Sequence, residues 1–448
     1  MKINPSIFKA YDIRGVYPED INEETVYNIG RAIAVHTKAE TIVVGKDIRL
    51  SSNTLEESLI KGLTDQGTNV IKLGLSTSPM LYYATGLLSV DAGIIITASH
   101  NPGNYNGLKV CHQFAVPIGE GSGMEEIKAL AVNGVFPESS IKGKISEETD
   151  FQKHYFKHIE RFFDTDSAKK QKIVFDFANA MGILDKPVFE KFSEYIDPIY
   201  LYDNYDGNFP NHEANPLNTS TLESLQAKVL ASKASFGVSY DGDADRVGFV
   251  DEKGDIIPMD FITALIAGEI LKKHKGALVL VDLRSSNAVI EYIEKAGGRT
   301  DLCRVGHSLI KKQMREEKAV FAGELSGHYY FDENYKAELS SLAVIMIINL
   351  LNSSGKSLSE LVSPLRKYFH SGEINSSVTS TEEVFLKLKK KYQDGKINEL
   401  DGIRIDYQDW WFNVRASNTE PVIRLNLEAK TKALMEEKKD ELLDIIRS

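Results

Sequence analysis

At 448 residues the chain exceeds what one ordinary core fills, and about 100–200 residues per domain calls for three or four. A hydrophobic share of 42% with no apolar stretch approaching the ~18 residues of a membrane span reads as a globular protein, not a membrane protein. A net charge of −11 argues against nucleic acid or an anionic membrane surface as partner, since both demand a basic footprint. Met1-Lys2-Ile3-Asn4-Pro5 lacks the apolar region of a signal peptide, so the expected compartment is the cytoplasm. Cys111 and Cys303 fit no Cys-x-x-Cys or Cys/His metal spacing and read as small buried hydrophobes.

From Thr41 to Gln113 strand and helix alternate. The pattern predicts strand 41–45, helix 52–66 stopped by Gly67, strand 69–73, helix 79–88, and a buried strand through Gly93-Ile94-Ile95-Ile96. The alternation recurs with strand 172–177, helices 184–192 and 221–234, and strand 236–240. It recurs again with helix 259–274, strand 277–282, helices 287–295 and 308–318, and strand 319–322. The last stretch differs: a Lys-rich helix 381–392, strands 403–414 and 422–428, and a closing helix 432–447 read as a smaller α+β unit. Charged segments such as Glu147-Glu148-Thr149-Asp150 and Asp251-Glu252-Lys253-Gly254 interrupt the apolar pattern. They place domains at 1–148, 149–250, 251–367 and 368–448, an α/β fold class throughout the first three.

Four polar segments sit at the ends of predicted strands. Thr97-Ala98-Ser99-His100-Asn101-Pro102 follows the buried run 93–96, and its turn chemistry puts the Ser99 hydroxyl on a strand-to-loop corner. Asp241-Gly242-Asp243-Ala244-Asp245-Arg246 lies between two apolar strands, and three carboxylates at alternate positions need a cation such as Mg²⁺ or Ca²⁺ to join them. A calcium EF-hand loop is excluded, because it wants Gly where Arg246 stands and helices where the flanks read as strands. Gly323-Glu324-Leu325-Ser326-Gly327-His328 offers a carboxylate, a hydroxyl and an imidazole suited to sugar hydroxyls. Arg415-Ala416-Ser417-Asn418-Thr419-Glu420-Pro421, with Arg424 behind it, offers a guanidinium and short polar groups suited to a phosphate.

In this order the segments resemble the α-D-phosphohexomutase superfamily, most closely its bacterial and archaeal phosphomannomutase/phosphoglucomutase members, over essentially the whole chain. Tyr11-Asp12-Ile13-Arg14-Gly15, Gly45-Lys46-Asp47-Ile48-Arg49-Leu50-Ser51, Asn106-Gly107-Leu108-Lys109, Asp206-Gly207-Asn208-Phe209-Pro210-Asn211-His212 and Trp411-Phe412-Asn413-Val414-Arg415 belong to the same resemblance. It implies three similar α/β domains and a smaller C-terminal α+β domain around a central active-site cleft. It also implies that hexose 1-phosphate and hexose 6-phosphate interconvert through phospho-Ser99 and a hexose 1,6-bisphosphate intermediate. Mg²⁺ is then held by Ser99, Asp241, Asp243 and Asp245, and Arg246 shares the neutralising task.

By motif, Lys109 and His307 are the acid and base, Arg14 assists, and His100 positions the phosphoserine. Lys109 serves best if surrounding cations lower its pKa. Tyr11 lines the entrance, Glu324 and Ser326 hold two sugar hydroxyls with His328 in the same pocket, and Arg415, Ser417, Asn418, Thr419 and Arg424 hold the phosphate that is not reacting. Arg284 is a cation where some members carry Lys, and Ala337-Glu338-Leu339-Ser340 departs from an Asp-rich family segment. The rivals are phosphoglucosamine mutase, whose sugar loop usually has Gln where Leu325 stands, a non-catalytic sugar-phosphate binder, and a phosphatase. The preferred sugar and the oligomeric state stay open.

Overall fold

An apolar run with no polar alternation needs cover on both faces, and the strand Ala92–Ile96, buried at every position, has it. The computed structural model describes residues 3–166, 168–416 and 422–448 and arranges their strands in four sheets, three mixed and one antiparallel. In the first sheet Thr41–Lys46 lies parallel to both Asn69–Leu75 and Ala92–Ile96, and the last of these pairs antiparallel with Tyr105–His112. Ile13–Val16 closes that edge antiparallel to Tyr105–His112. The second sheet sets Phe236–Tyr240 parallel to Gln171–Asp176 and antiparallel to Val247–Asp251. The third sets Phe321–Gly323 parallel to Leu278–Asp282 and antiparallel to Tyr329–Phe331. The fourth is antiparallel along Ile403–Asp406, Trp410–Ala416 and Ile423–Ala429.

One device repeats across the first three sheets. A buried strand turns back into an antiparallel neighbour, and the connection is the polar segment: 97–104, 241–246 and 324–328. The fourth sheet pairs Ala416 with Ile423, so the arginine segment joins its own antiparallel pair. The predicted α/β class therefore holds, with the last unit smaller and mostly antiparallel.

One apolar core runs from Leu81 and Tyr155 through Phe175 and Phe249 to Ile262 and Ile347, so elements of the first three sheets share it. The other face of the first sheet has a separate core around Ile33, Ile42, Leu59 and Ile94. Phe412, Leu425 and Leu442 form a third under the fourth sheet. Cys111 and Cys303 are free and buried. Among the described residues no single helix is long and apolar enough to cross a membrane.

Two predicted elements need correction. The strand expected over 403–414 is a hairpin, Ile403–Asp406 and Trp410–Ala416, because Tyr407 N–H donates to Trp410 O at 2.9 Å and the two rings stack at 4.8 Å. The helix expected over 184–192 is a 3₁₀ turn Met181–Asp185 followed by a short helix Lys186–Glu190, with Pro187 in its first turn, where a missing N–H is tolerated. Helices Glu23–Thr37 and Ser340–Ser354 were not predicted. The second is apolar almost all round and buried in the shared core, so it has no amphipathic period to read.

Candidate active site

Ser99 takes a φ of 50°, a left-handed conformation that costs a non-glycine residue roughly 1–2 kcal/mol. Two contacts hold it there. Its N–H donates to Thr97 Oγ1 at 2.9 Å, and its carbonyl accepts from Arg49 Nη2 at 2.7 Å. The buried hydroxyl thereby faces the second sheet, where Oγ donates to Asp241 Oδ2 at 2.8 Å, with His100 Nδ1 3.3 Å from the same oxygen. Arg14 braces the corner from the edge strand, donating to Asn101 Oδ1 at 2.6 Å and Ala98 O at 3.3 Å while paired with Asp12 at 2.6 Å.

Asp241, Asp243 and Asp245 are buried, with carboxylate oxygens within 4.8 Å of one another. The turn permits this approach only because position 242 is Gly: a Cβ there would meet Ser99 O at 2.2 Å. Ser78, opening the helix Ser78–Leu87, donates its hydroxyl to Asp243 Oδ2 at 2.5 Å and its N–H to Asp243 O at 3.0 Å. Asp243 Oδ1 is buried without a hydrogen-bond partner. Hard oxygen donors, a partnerless carboxylate oxygen and an adjacent hydroxyl fit a divalent cation of the Mg²⁺ class.

The register that sets Lys109 opposite Ile95 brings its ammonium to the same carboxylates, 2.6 Å from Asp243 Oδ2 and paired with Asp245 Oδ2. Burial alone would lower the Lys109 pKa, but Asp243 and Asp245 raise it well above the ordinary lysine value. The expectation of a lowered pKa is therefore corrected: two anions outweigh Arg14, the neighbouring cation. Burial and the like charges of Asp245 and Asp243 push the Asp241 carboxyl up, whereas Lys109 and His328 overcome burial to hold Asp245 well down.

Gly327 takes φ 85° and closes the tight turn 324–328, Gly327 N–H donating to Glu324 O at 3.0 Å. The turn sets His328 between two carboxylates, Nδ1 2.9 Å from Glu324 Oε2 and Nε2 3.3 Å from Asp245 Oδ1. Burial disfavours the imidazolium, yet Asp245 and the hydrogen bonds to both carboxylates carry its pKa up to about 9. Glu324, against the same pull of burial, falls to about 2. Ser326 Oγ lies 2.7 Å from His328 Nδ1. Arg246 Nε is 3.2 Å from His328 Nε2 and could donate to it only if that nitrogen kept its lone pair. With the imidazole charged, the contact is repulsive and favours turning the guanidinium toward an anion.

His307 begins the helix His307–Glu317, with both ring nitrogens buried and without hydrogen-bond partners. Burial, then Lys311 and Lys109, hold its pKa well below the usual histidine value, so it is neutral. Tyr11 meets its ring edge-on at 5.7 Å and donates to Val305 O at 2.8 Å. The Tyr11 hydroxyl is pushed up to about 12 by burial and then by Asp401 and Glu324, carboxylates of the fourth and third units.

Arg284 forks onto Asp282, Nε to Oδ1 at 2.9 Å and Nη2 to Oδ2 at 2.5 Å, and reaches Glu373 at 3.1 Å. Arg424 meets the other Glu373 oxygen at 3.2 Å. Arg415 is buried, and the interaction with Arg284 adds to burial in lowering its pKa. Ser417, Asn418 and Thr419 lie outside the described residues.

The structure thus gathers Ser99, His100, Lys109, Arg14, Arg246, His328, Glu324, Ser326 and the three aspartates in one place, with Arg284, Arg415 and Arg424 grouped at Glu373. It adds residues that sequence reasoning missed: Arg49, Ser78, Glu373, and the buried pair Lys311–Glu338 at 3.0 Å beside His307. Arg49 stood inside a quoted motif and Glu338 inside a noted departure. Ser78 and Glu373 had no local signal.

Models of the phosphoglucomutase/phosphomannomutase alpha/beta/alpha domains I, II and III match residues 5–138, 153–254 and 258–368, and that of the C-terminal domain matches 373–445. A phosphomannomutase of Methanocaldococcus jannaschii is 39% identical, covering 98% of this chain and 97% of that protein. A phosphomannomutase/phosphoglucomutase of Pseudomonas putida is 36% identical, covering 97% of this chain and 94% of its own. The X-ray structure of a phosphoglucomutase/phosphomannomutase family protein from Burkholderia thailandensis matches with a TM-score of 0.91 at 29% identity, covering 99% of this chain and 97% of that one. A serine hydroxyl held against a buried carboxylate loop, four sheets in the order of the four matched domains, and similarity along the full length agree: the chain belongs to the phosphoglucomutase/phosphomannomutase family of mutases.

Proposed function

We propose that this protein interconverts the 1-phosphates and 6-phosphates of mannose and glucose through phospho-Ser99 and a hexose 1,6-bisphosphate intermediate. The observation that carries the reading is the Ser99 hydroxyl, buried on a left-handed corner and 2.8 Å from Asp241 in a cage of three carboxylates. The names of the relatives, phosphomannomutase and phosphomannomutase/phosphoglucomutase, support the two sugars.

In the first transfer a bond from the sugar hydroxyl oxygen to phosphorus forms as the bond from phosphorus to Ser99 Oγ breaks and leaves its electron pair on Oγ; the sugar hydroxyl loses its proton and Oγ takes one up. Neutral His307, with both nitrogens unpartnered, is the acceptor suited to that proton. Lys109, held charged by its two aspartates, and Arg14 supply positive charge to the transferring group. His100, beside Oγ, orients the phosphoserine. Ser99, Asp241, Asp243 and Asp245 would hold Mg²⁺, which when bound neutralises the charge of the phosphoryl group. Arg246 lends a guanidinium to the same anion.

The bisphosphate then turns end for end, and its other phosphate returns to Ser99. Glu324, Ser326 and His328 hold two sugar hydroxyls in either orientation, with Tyr11 at the entrance. Arg284, Arg415 and Arg424, together with Ser417, Asn418 and Thr419, hold the phosphate at rest, and that remote binding energy orients the reacting end. Intact mass of the purified protein should show added phosphate that Ser99→Ala abolishes together with nearly all mutase turnover on mannose 1-phosphate and glucose 1-phosphate. A fully active Ser99→Ala variant overturns the reading.

A further inference from the structure

The motif segments 45–51 and 206–212 take no part in the transfer described above, yet they meet beneath the nucleophile loop. Arg49, 2% exposed, belongs to the first segment and is where the second packs against it. Its Nη2 donates to the carbonyls of Ser99 at 2.7 Å and Asn101 at 2.6 Å, and its Nη1 to those of Pro102 at 2.5 Å and Tyr105 at 3.0 Å. Nε donates to Asp47 Oδ2 at 3.0 Å, so every N–H of the guanidinium is engaged. Asp47 is itself fixed, its Oδ1 accepting from Arg49 N at 3.0 Å and Ser52 Oγ at 2.6 Å. From the second unit the Phe209 ring faces the guanidinium at 5.1 Å. Gly207 packs so close beside it that a Cβ there would meet Ile48 O at 2.5 Å and Arg49 Cα at 3.0 Å.

We propose that Arg49 is a positioning residue of the phosphoryl transfer, acting through Ser99 and clamped by the 207–209 turn. Four carbonyl oxygens converging on one point repel one another unless a multiple donor joins them, and only a planar fork can reach all four. The bond to Ser99 O also opposes relaxation of that residue out of its left-handed conformation, a relaxation that would swing Oγ away from Asp241. Arg49 points at backbone and makes no contact with the sugar loop or the arginine cluster, so its loss slows transfer without weakening substrate binding.

This inference rests on Ser99 being the phosphoryl carrier, and the test separates the two. Arg49→Lys, Arg49→Ala, Phe209→Leu and Ser99→Ala are compared with the parent for kcat, KM, thermal midpoint and phosphoserine content by intact mass. Arg49→Lys keeps the charge without the fork, and a nucleophile displaced by about 1 Å loses on the order of a hundredfold in kcat. KM stays within about threefold, because uniform substrate binding is untouched. Phosphoserine content falls with kcat, Phe209→Leu lowers kcat in the same direction but less, and millimolar guanidinium partly restores Arg49→Ala. Should Arg49→Ala fail to fold, Arg49→Lys and Phe209→Leu carry the test. An Arg49→Lys variant with kcat within about twofold of the parent overturns the proposal, as does a loss of kcat matched by equal loss of folded protein. A fully active Ser99→Ala overturns the underlying reading instead, whereas an inactive Ser99→Ala beside a normal Arg49→Lys sinks the role of Arg49 alone.

Discussion

At Lys109 burial and charge oppose each other, and the two aspartates win. Lys109 is 4% exposed and its ammonium bridges Asp243 and Asp245, so removing it leaves two buried carboxylates without their cation. Breaking a buried pair in this way costs about 3–5 kcal/mol, far more than any surface ion pair provides. Lys109→Met should therefore lower stability by that order in urea unfolding with chelator present, and millimolar Mg²⁺ should restore part of the loss by neutralising the same oxygens. An unchanged urea midpoint in chelator would show that the carboxylates are balanced elsewhere. At this scale Ser99 and the aspartate triplet were legible, because their chemistry is local: a hydroxyl at a strand end, carboxylates at alternate positions. The raised pKa of Lys109 was not, because its partners lie 134 and 136 residues away.

Between elements, the site depends on two hairpins touching through backbone. Ser99 O and the Gly242 Cα leave no room for a side chain, since a Cβ would sit 2.2 Å from that oxygen, and a carbonyl cannot swing aside as a flexible side chain can. Gly242→Ala must push the 97–104 and 241–246 connections apart. Strain of this kind costs about 1–3 kcal/mol, and the separation of Ser99 Oγ from Asp241 grows with it. A folded Gly242→Ala protein with kcat reduced at least tenfold, by steady-state assay, is the expected result. Parental kcat would mean that the two hairpins are not held in register by this contact. The strand–helix alternation that delivers these hairpins was readable from periodicity and turn residues. The Ile403–Asp406/Trp410–Ala416 pair was not resolved, because Tyr407 at its turn belongs to the residues favoured in strands.

Across the whole molecule, a buried polar relay ties the second and third units together behind the aspartate loop. Ser341, on the core helix, donates to Asp185 Oδ2, and Tyr240, the residue before Asp241, lies 3.2 Å from the same hydroxyl. Asp185 Oδ1 has no hydrogen-bond partner, and burial lifts the carboxyl from 3.8 to about 7. Between those values the folded state keeps a proton that the unfolded state has lost, so stability falls as pH rises from about 4 to 7 and levels off above. A shift of this size is at most ~4 kcal/mol. Asp185→Asn removes the titration while keeping an acceptor for Ser341. Its stability relative to the parent, from urea unfolding at pH 5 and pH 8, should therefore be greater at pH 8. A difference independent of pH would show that Asp185 does not titrate in this window.

The sequence by itself determined the α/β class, the smaller last unit, the four polar segments and the type of chemistry each can do. Those properties follow from hydrophobic period, turn residues and side-chain functional groups within a few positions of one another. Only the tertiary structure decided which charges face which. Lys109 sits on the aspartates because a strand register sets it opposite Ile95, and His328 is charged because a turn from the third sheet inserts it between Glu324 and an aspartate of the second. Arg284 and Arg424 share Glu373, a residue with no motif to announce it. Burial and the energy of an ion pair depend on distance through space, and residues far apart in the chain acquire a distance only when the sheets pack.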